Sequence, residues 1–207
     1  MRKSPRTRRL MADHRAIQKL AAESSIFEFE ANGTPPEVYR VTFQGVGVWR
    51  SGQTEINLRN DHVVVIELGA AYPRMMPSLS WHSPIFHPNI SSGGVVCLGG
   101  YGTHWVPSLT LDELCIMLWD MIRFQNYDTE SPYNRDAALW AKNQTQFSLP
   151  VDNRSLRDLV SFKAKLGDQQ TSSSPPVVVS MGNDDEDIQI IEAEVIEPDG
   201  EDIVFID

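Results

Sequence analysis

The chain has 207 residues, 41% of them apolar, with 18 Lys or Arg against 28 Asp or Glu and a formal net charge of −10. That is enough for one domain of ordinary size with an appendage, and no apolar run is long enough to cross a membrane as a helix. The charge is unevenly placed. Residues 171–207 hold eleven acids and no base, which leaves 18 bases and 17 acids in residues 1–170, so a nucleic-acid footprint over the whole protein is not expected.

The opening MRKSPRTRRL is basic but has no apolar stretch behind it, so it does not read as a secretory signal. Residues 7–23 predict an amphipathic helix with Leu10, Ile17 and Leu20 on one stripe. The first 19 residues carry seven bases against Asp13. They read either as a solvated helix face or as a docking surface for an acidic protein partner. Strand-like runs follow at 26–30, which leads into the turn dipeptide Asn32-Gly33, and at 38–43, 62–68 and 78–81. Their closeness in sequence predicts an antiparallel meander of four strands.

Residues 82–109 form a long Pro- and Gly-rich stretch, a kind of loop that is uncommon unless it is functional. Thr110 then stands as N-cap with Glu113 at the capping-box position, opening a mostly apolar helix LDELCIMLWDMIRF that should be buried. Pro132 breaks the chain, and helical patterns recur near 134–147 and 153–166. Helix, grouped strands, long loop and helices together make an α+β arrangement. Residues 1–166 are expected to form the domain. Residues 167–183, rich in Gln, Ser, Thr, Pro and Gly, read as a linker, and 184–207 as an acidic, flexible tail.

There are two cysteines and no CxxC pattern, which argues against a disulfide scaffold and for a reducing, cytoplasmic compartment. Cys115 sits among Leu114, Leu118 and Trp119 on the apolar helix, where a cysteine is a small buried hydrophobe. Cys97 sits instead in a Gly-rich polar loop. His82, His87 and His104 with Cys97 match no zinc-ligand spacing. His87 and Cys97 are ten residues apart on one loop, unlike the distant partners of a cysteine protease. No Gly-rich phosphate loop with a Lys is present, so ATP is not an expected ligand, and neither is any other cofactor or a metal.

One set of residues is specific. It comprises Tyr72-Pro73, Pro77, His87-Pro88-Asn89-Ile90, Gly94-Val95-Val96-Cys97-Leu98, Trp105, Pro107 and Thr110-Leu111. Asn89 precedes Cys97 by eight residues and Trp105 follows it by eight. In this order and spacing the chain resembles the ubiquitin-conjugating enzymes over roughly residues 5–150. The resemblance implies a UBC-like fold and a transferase that carries a ubiquitin-like protein as a thioester on Cys97 and passes it to an amine, usually a lysine, of a target protein. It implies Asn89 as the donor that stabilises the oxyanion, and His87 as a residue that pins the loop rather than a base. The implied partners are the ubiquitin-like protein, an activating enzyme, the target and an undetermined ligase. A non-catalytic adaptor of the same fold is the alternative; adaptors typically lack the cysteine.

The sequence also departs from the family pattern. Gly99 stands where an Asp usually follows the Cys, and Arg74 where an apolar residue often meets a RING-type ligase, while Pro107 is kept. Ser131 precedes Pro132 where an acid often helps the attacking lysine, with Glu130 and Asp128 close by to take that part. By analogy this divergence resembles the bacterial conjugating enzymes encoded beside ubiquitin-like proteins, several of which serve antiviral defence. In the tail, Ile188-Gln189-Ile190-Ile191 and Ile203-Val204-Phe205-Ile206 are flanked by acids. They read as a solubilising tail or as segments that add a strand to a ubiquitin-like fold.

Overall fold

The computed structural model describes residues 3–52, 54–98 and 105–160. The expected linker and tail, and His104 with the Gly99–Gly102 stretch, lie outside the described residues.

Helix α1 spans Pro5–Ala22. Ser4 caps it, its hydroxyl accepting the Thr7 N–H at 3.1 Å, and Pro5 sits at the first helical position, where its missing N–H costs nothing. Leu10, Asp13, Ile17 and Leu20 form its buried stripe. Four strands follow: β1 (Phe27–Gly33), β2 (Pro36–Ser51), β3 (Glu55–Glu67) and β4 (Ser78–Trp81). They pair antiparallel in the order β1-β2-β3-β4, the expected meander. Helices α2 (Leu111–Ile122) and α3 (Arg135–Asn143) complete the described body.

Two strands run well past their sequence-based limits. β2 continues beyond Phe43 because the register shifts between Gln44 and Gly47, a bulge that breaks the alternation a periodicity reading depends on. Gly47 is required there. A Cβ would lie 2.6 Å from the His62 ring and 2.8 Å from Ile122. β3 starts at Glu55 rather than near His62, since its polar first half pairs with Gly47–Ser51 outside the main core. Helix α3 stops at Asn143 rather than 147. Gln144 is extended, and its side chain bonds both backbone polar groups of Phe147, at 2.9 and 3.0 Å, in place of another helical turn. In the region expected to be helical at 153–166, residues 153–157 are turn and irregular and only 158–160 are helical among those described.

The main core lies between α1, α2 and one face of the sheet, around Tyr39, Phe43, Ile66, Leu118 and Trp119. Trp119 stacks on Phe43 with centroids 6.3 Å apart and donates from its indole N–H to the Arg154 carbonyl. A second, smaller cluster of Val48, Phe86, Phe124 and Ala137 holds α3 against the far half of β2. The segment that leads to Cys97 contributes to both, Phe86 to the smaller cluster and Ile90 and Val96 to the main one.

Candidate active site around Cys97

The chain leaving β4 folds back on that strand. The Trp81 N–H donates to the Gly94 carbonyl at 2.8 Å, and Ser80 and Val95 form an isolated bridge. Gly94 has φ +80°, and a Cβ there would lie 2.3 Å from the Trp81 carbonyl oxygen, so a glycine is needed for so close an approach. Val96 and Ile90 form a second bridge. The Cys97 N–H then donates to the Asn89 carbonyl at 2.9 Å. Cys97 is a free, half-buried thiol. The chain on either side is anchored, with Val96 buried in the core and Leu98 packed against it.

His87 is completely buried. Its Nδ1 accepts the Asn89 N–H at 3.1 Å, and its ring lies 4.8 Å from that of Phe124. The proton of the neutral ring is therefore on Nε2, which is buried without a well-formed hydrogen bond. Burial pulls the His87 pKa down to about 3, and the Asn126 backbone draws it back only slightly. At neutral pH the imidazole is uncharged and its basic nitrogen is occupied. It can take a proton only by giving up its bond to the turn.

Asn89 is also fully buried. Its Oδ1 accepts the Asp128 N–H at 2.7 Å and its Nδ2 donates to the Asp128 carbonyl at 3.1 Å. The carboxamide is thus fixed from both ends, with one of its two N–H groups unspent by that pair. The Pro88 carbonyl accepts the N–H groups of Tyr133 and Asn134, both at 2.9 Å. The segment from Asp128 to Asn134 therefore buttresses the whole His-Pro-Asn turn. Its acids have different partners. Asp128 Oδ1 accepts the Glu130 N–H at 2.7 Å, whereas the Glu130 carboxylate pairs with Lys142 of α3 at 2.7 Å. That bond holds Glu130 below the usual carboxylate range.

The other motif residues converge on a second junction. The Tyr72 hydroxyl donates to Asp13 Oδ2 at 2.7 Å and accepts from Arg9 at 3.0 Å. Asp13 Oδ1 accepts the Leu111 N–H at 3.2 Å, at the start of α2, where the Glu113 carboxylate accepts the Thr110 N–H at 2.7 Å. Arg9 pairs with Asp13 at 2.7 Å and donates to the carbonyls of Pro107 and Leu109. The Trp105 indole donates to the Pro73 carbonyl at 2.6 Å. Arg6 pairs with Glu37, so two of the seven bases near the N-terminus serve the fold rather than a free surface. Asp13 shares the buried stripe with Leu10 and Ile17, a placement that the apolar pattern of the sequence does not show. Arg74 is exposed beside exposed Met75 and Met76. Among the described residues no three His, Cys, Asp or Glu side chains converge as a metal site.

A helix, a four-stranded meander, a returning loop with a half-buried Cys beside a buried His-Pro-Asn turn, and further helices define a UBC-like fold. In fold the chain is similar to S. cerevisiae Ubc12, with a TM-score of 0.52 and 21% identity over 70% of this chain and 76% of that one. Residues 59–154 match the model of the ubiquitin-conjugating enzyme family. The chain is 39% identical over 77 residues to "Ubiquitin-conjugating enzyme E2 16" of Schizosaccharomyces pombe, covering 37% of this chain and 47% of that protein. It is 26% identical over 102 residues to "SUMO-conjugating enzyme UBC9" of Caenorhabditis elegans, covering 48% and 58%. The chain spans about half the length of these curated relatives. Its similarity to the ubiquitin-conjugating enzymes thus lies in the fold and in residues 59–154.

Proposed function

We propose that this protein accepts the C-terminal acyl group of a ubiquitin-like protein from an activating enzyme as a thioester on Cys97. It then transfers that group to a lysine amine of a target protein. A nitrogen lone pair adds to the thioester carbonyl, the C–N bond forms, the C–S bond breaks, and Cys97 is released as a thiol while the amine gives up a proton. Negative charge builds on the carbonyl oxygen between these steps.

One observation carries the reading. Asn89 is buried, its carboxamide is fixed on both sides by the Asp128 backbone, and its own carbonyl receives the Cys97 N–H. A preorganised donor of this kind lowers such a barrier by roughly 3–4 kcal/mol. His87 orients the turn and moves no proton. The reducing cytoplasm is the compartment in which Cys97 stays a thiol, and a bacterial conjugation system serving antiviral defence is the setting suggested by the departures at Arg74 and Gly99. For the tail we keep two readings, a solubilising segment or a contact of Ile188–Ile191 and Ile203–Ile206 with the ubiquitin-like protein by strand addition. Under the second, deleting residues 171–207 weakens that binding, and unchanged affinity would leave the first.

The test is a charging reaction with ATP, the activating enzyme and the ubiquitin-like protein, run on gels with and without reductant. The wild type forms a reductant-sensitive adduct, Cys97→Ala forms none, and Cys97→Ser forms a reductant-resistant ester. No adduct beside a charged activating enzyme would make the protein a binding adaptor instead.

A further inference from the structure

The segment that buttresses the His-Pro-Asn turn carries an ion pair that the chemistry above does not use. The segment between Asp128 and Asp136 carries three acids, and their partners sort them. Asp128 is spent on the local backbone, with Oδ1 accepting the N–H groups of Glu130 at 2.7 Å and Ser131 at 3.4 Å. Asp136 pairs with Arg50 of β2 at 3.1 Å. Glu130 pairs with a primary ammonium, Lys142 Nζ, at 2.7 Å, and the Thr129 hydroxyl donates to it at 3.4 Å. Of these three acids, Glu130 is the one whose carboxylate already holds the chemical group that an acceptor lysine presents. It stands two residues from Asp128, whose backbone fixes Asn89.

The pair is also cheap to open. The Glu130 side chain is 82% exposed and that of Lys142 45% exposed, and ion pairs this open hold together weakly and are screened by salt. An incoming lysine amine would replace one ammonium on Glu130 by another, with little net change in charge or solvation. The burial of Ala137 and Ala138 fixes α3, so the stem of Lys142 stays beside this segment when its ammonium lets go.

We propose that Lys142 is a resident competitor for the acceptor amine. It occupies the Glu130 carboxylate in the resting protein, and the acceptor lysine must displace it to be held near Asn89 and Cys97. The preferred acceptor is thus a lysine in an exposed segment without neighbouring acids, which would repel Glu130 and Asp128. Glu130 acts as a positioning residue for the amine, and Lys142 tunes how much amine is needed. This inference rests on the transferase reading.

Two measurements on the full chain test it, one of which does not need that reading to hold. In the first, Nα-acetyl-lysine methylamide is titrated into uncharged protein while the amide signals of residues 128–131 are followed by NMR. Lys142→Gln should tighten the apparent affinity about two- to fivefold, the range expected for release of one exposed ion pair. Glu130→Gln should abolish the saturable shift, with or without Lys142. In the second, discharge of the charged protein is measured against the same amine. Lys142→Gln should lower the amine concentration for half-maximal rate by a similar factor and leave the maximal rate unchanged. The double variant should behave as Glu130→Gln alone. Amine dependence that is identical in wild type and Lys142→Gln, or a Lys142→Gln effect that persists without Glu130, would overturn the proposal. Failure of charging in the wild type would instead strike the proposed function, and the titration would still decide the competition.

Discussion

Cys97 and Cys115 are the same side chain in two opposite settings. Cys115 lies on the inner face of α2, wholly buried among Leu114, Leu118 and Trp119, and burial, assisted by Asp112, pushes its thiol well above the usual range. A thiol so placed packs as a small hydrophobe and is shielded from reagents. Cys97 is half-buried on a returning loop, its own N–H tied to Asn89 and its neighbour Gly94 pressed on β4. The difference shows that exposure is placed by the backbone. The returning loop leaves one thiol half-buried next to the fixed Asn89, while the helix that supports the fold conceals the other.

Thiol labelling gives the widest separation between the two. In native buffer Cys97 should react with a maleimide within minutes, and Cys115 on the order of a thousandfold more slowly, because it is reached only by unfolding. Equal rates, measured by peptide mapping, would erase the contrast. Removing the donor comes next. Asn89→Ala should slow discharge of the charged protein to an amine by about 10²–10³-fold while charging still occurs. It should also cost about 1–3 kcal/mol of stability, since the Asp128 backbone groups lose their partners, and urea unfolding measured beside the rate separates the two effects.

The buried side can be broken without touching the loop. Gly47→Ala would force a Cβ to within 2.6 Å of the His62 ring, beside Ile122 of α2. Overpacking of this kind costs roughly 1–3 kcal/mol, seen as a lower melting temperature, with charging at Cys97 kept below it. Acid sharpens the same point. Burial lowers His62 to about 4 and His87 to about 3, below the ordinary value of 6.5. Both are neutral when folded, so the unfolded chain binds more protons once the pH drops under about 6.5. Their contribution is complete above that pH and is lost as the pH falls, toward about 4 for His62 and about 3 for His87. By pH 5 the loss is about 2 kcal/mol per histidine, and urea midpoints at pH 7.5 and 5 would read it. The smallest effect is expected from Tyr72→Phe, which deletes the hydroxyl's bonds to Asp13 and from Arg9 at the junction of α1, the Tyr72-Pro73 loop and α2 but leaves the Arg9–Asp13 pair in place. That loss is about 1 kcal/mol, with both thiols keeping their labelling contrast.

The elements that alternate or repeat cleanly were legible in the sequence. The buried stripe of α1, β4 at 78–81 and the Thr110–Glu113 start of α2 all follow from short-range patterns. So does the placing of the two cysteines, because an apolar helix and a Gly-rich loop read differently at any position. What escaped the reading was decided by partners distant in sequence. β2 runs on through Gly45 and Gly47 because Trp119 and His62 fill the space their missing side chains leave. The polar first half of β3 forms by pairing with β2, not by burying a face. Asp13 stands alone among bases in the sequence but is tied to Tyr72 and Leu111 in the fold. The division of work among Asp128, Glu130 and Ser131 likewise depends on Asn89 and Lys142, 39 and 12 residues away from their respective partners.

In the proposed reaction the acyl group resides on Cys97. The most direct test is mass spectrometric mapping of the charged wild-type protein, digested at low pH without reductant so that thioesters survive. The C-terminal remnant of the ubiquitin-like protein is expected on the peptide containing Cys97, released by hydroxylamine, with the Cys115 peptide unmodified. A remnant on Cys115, or only on amines from the earliest time point, would contradict that reaction.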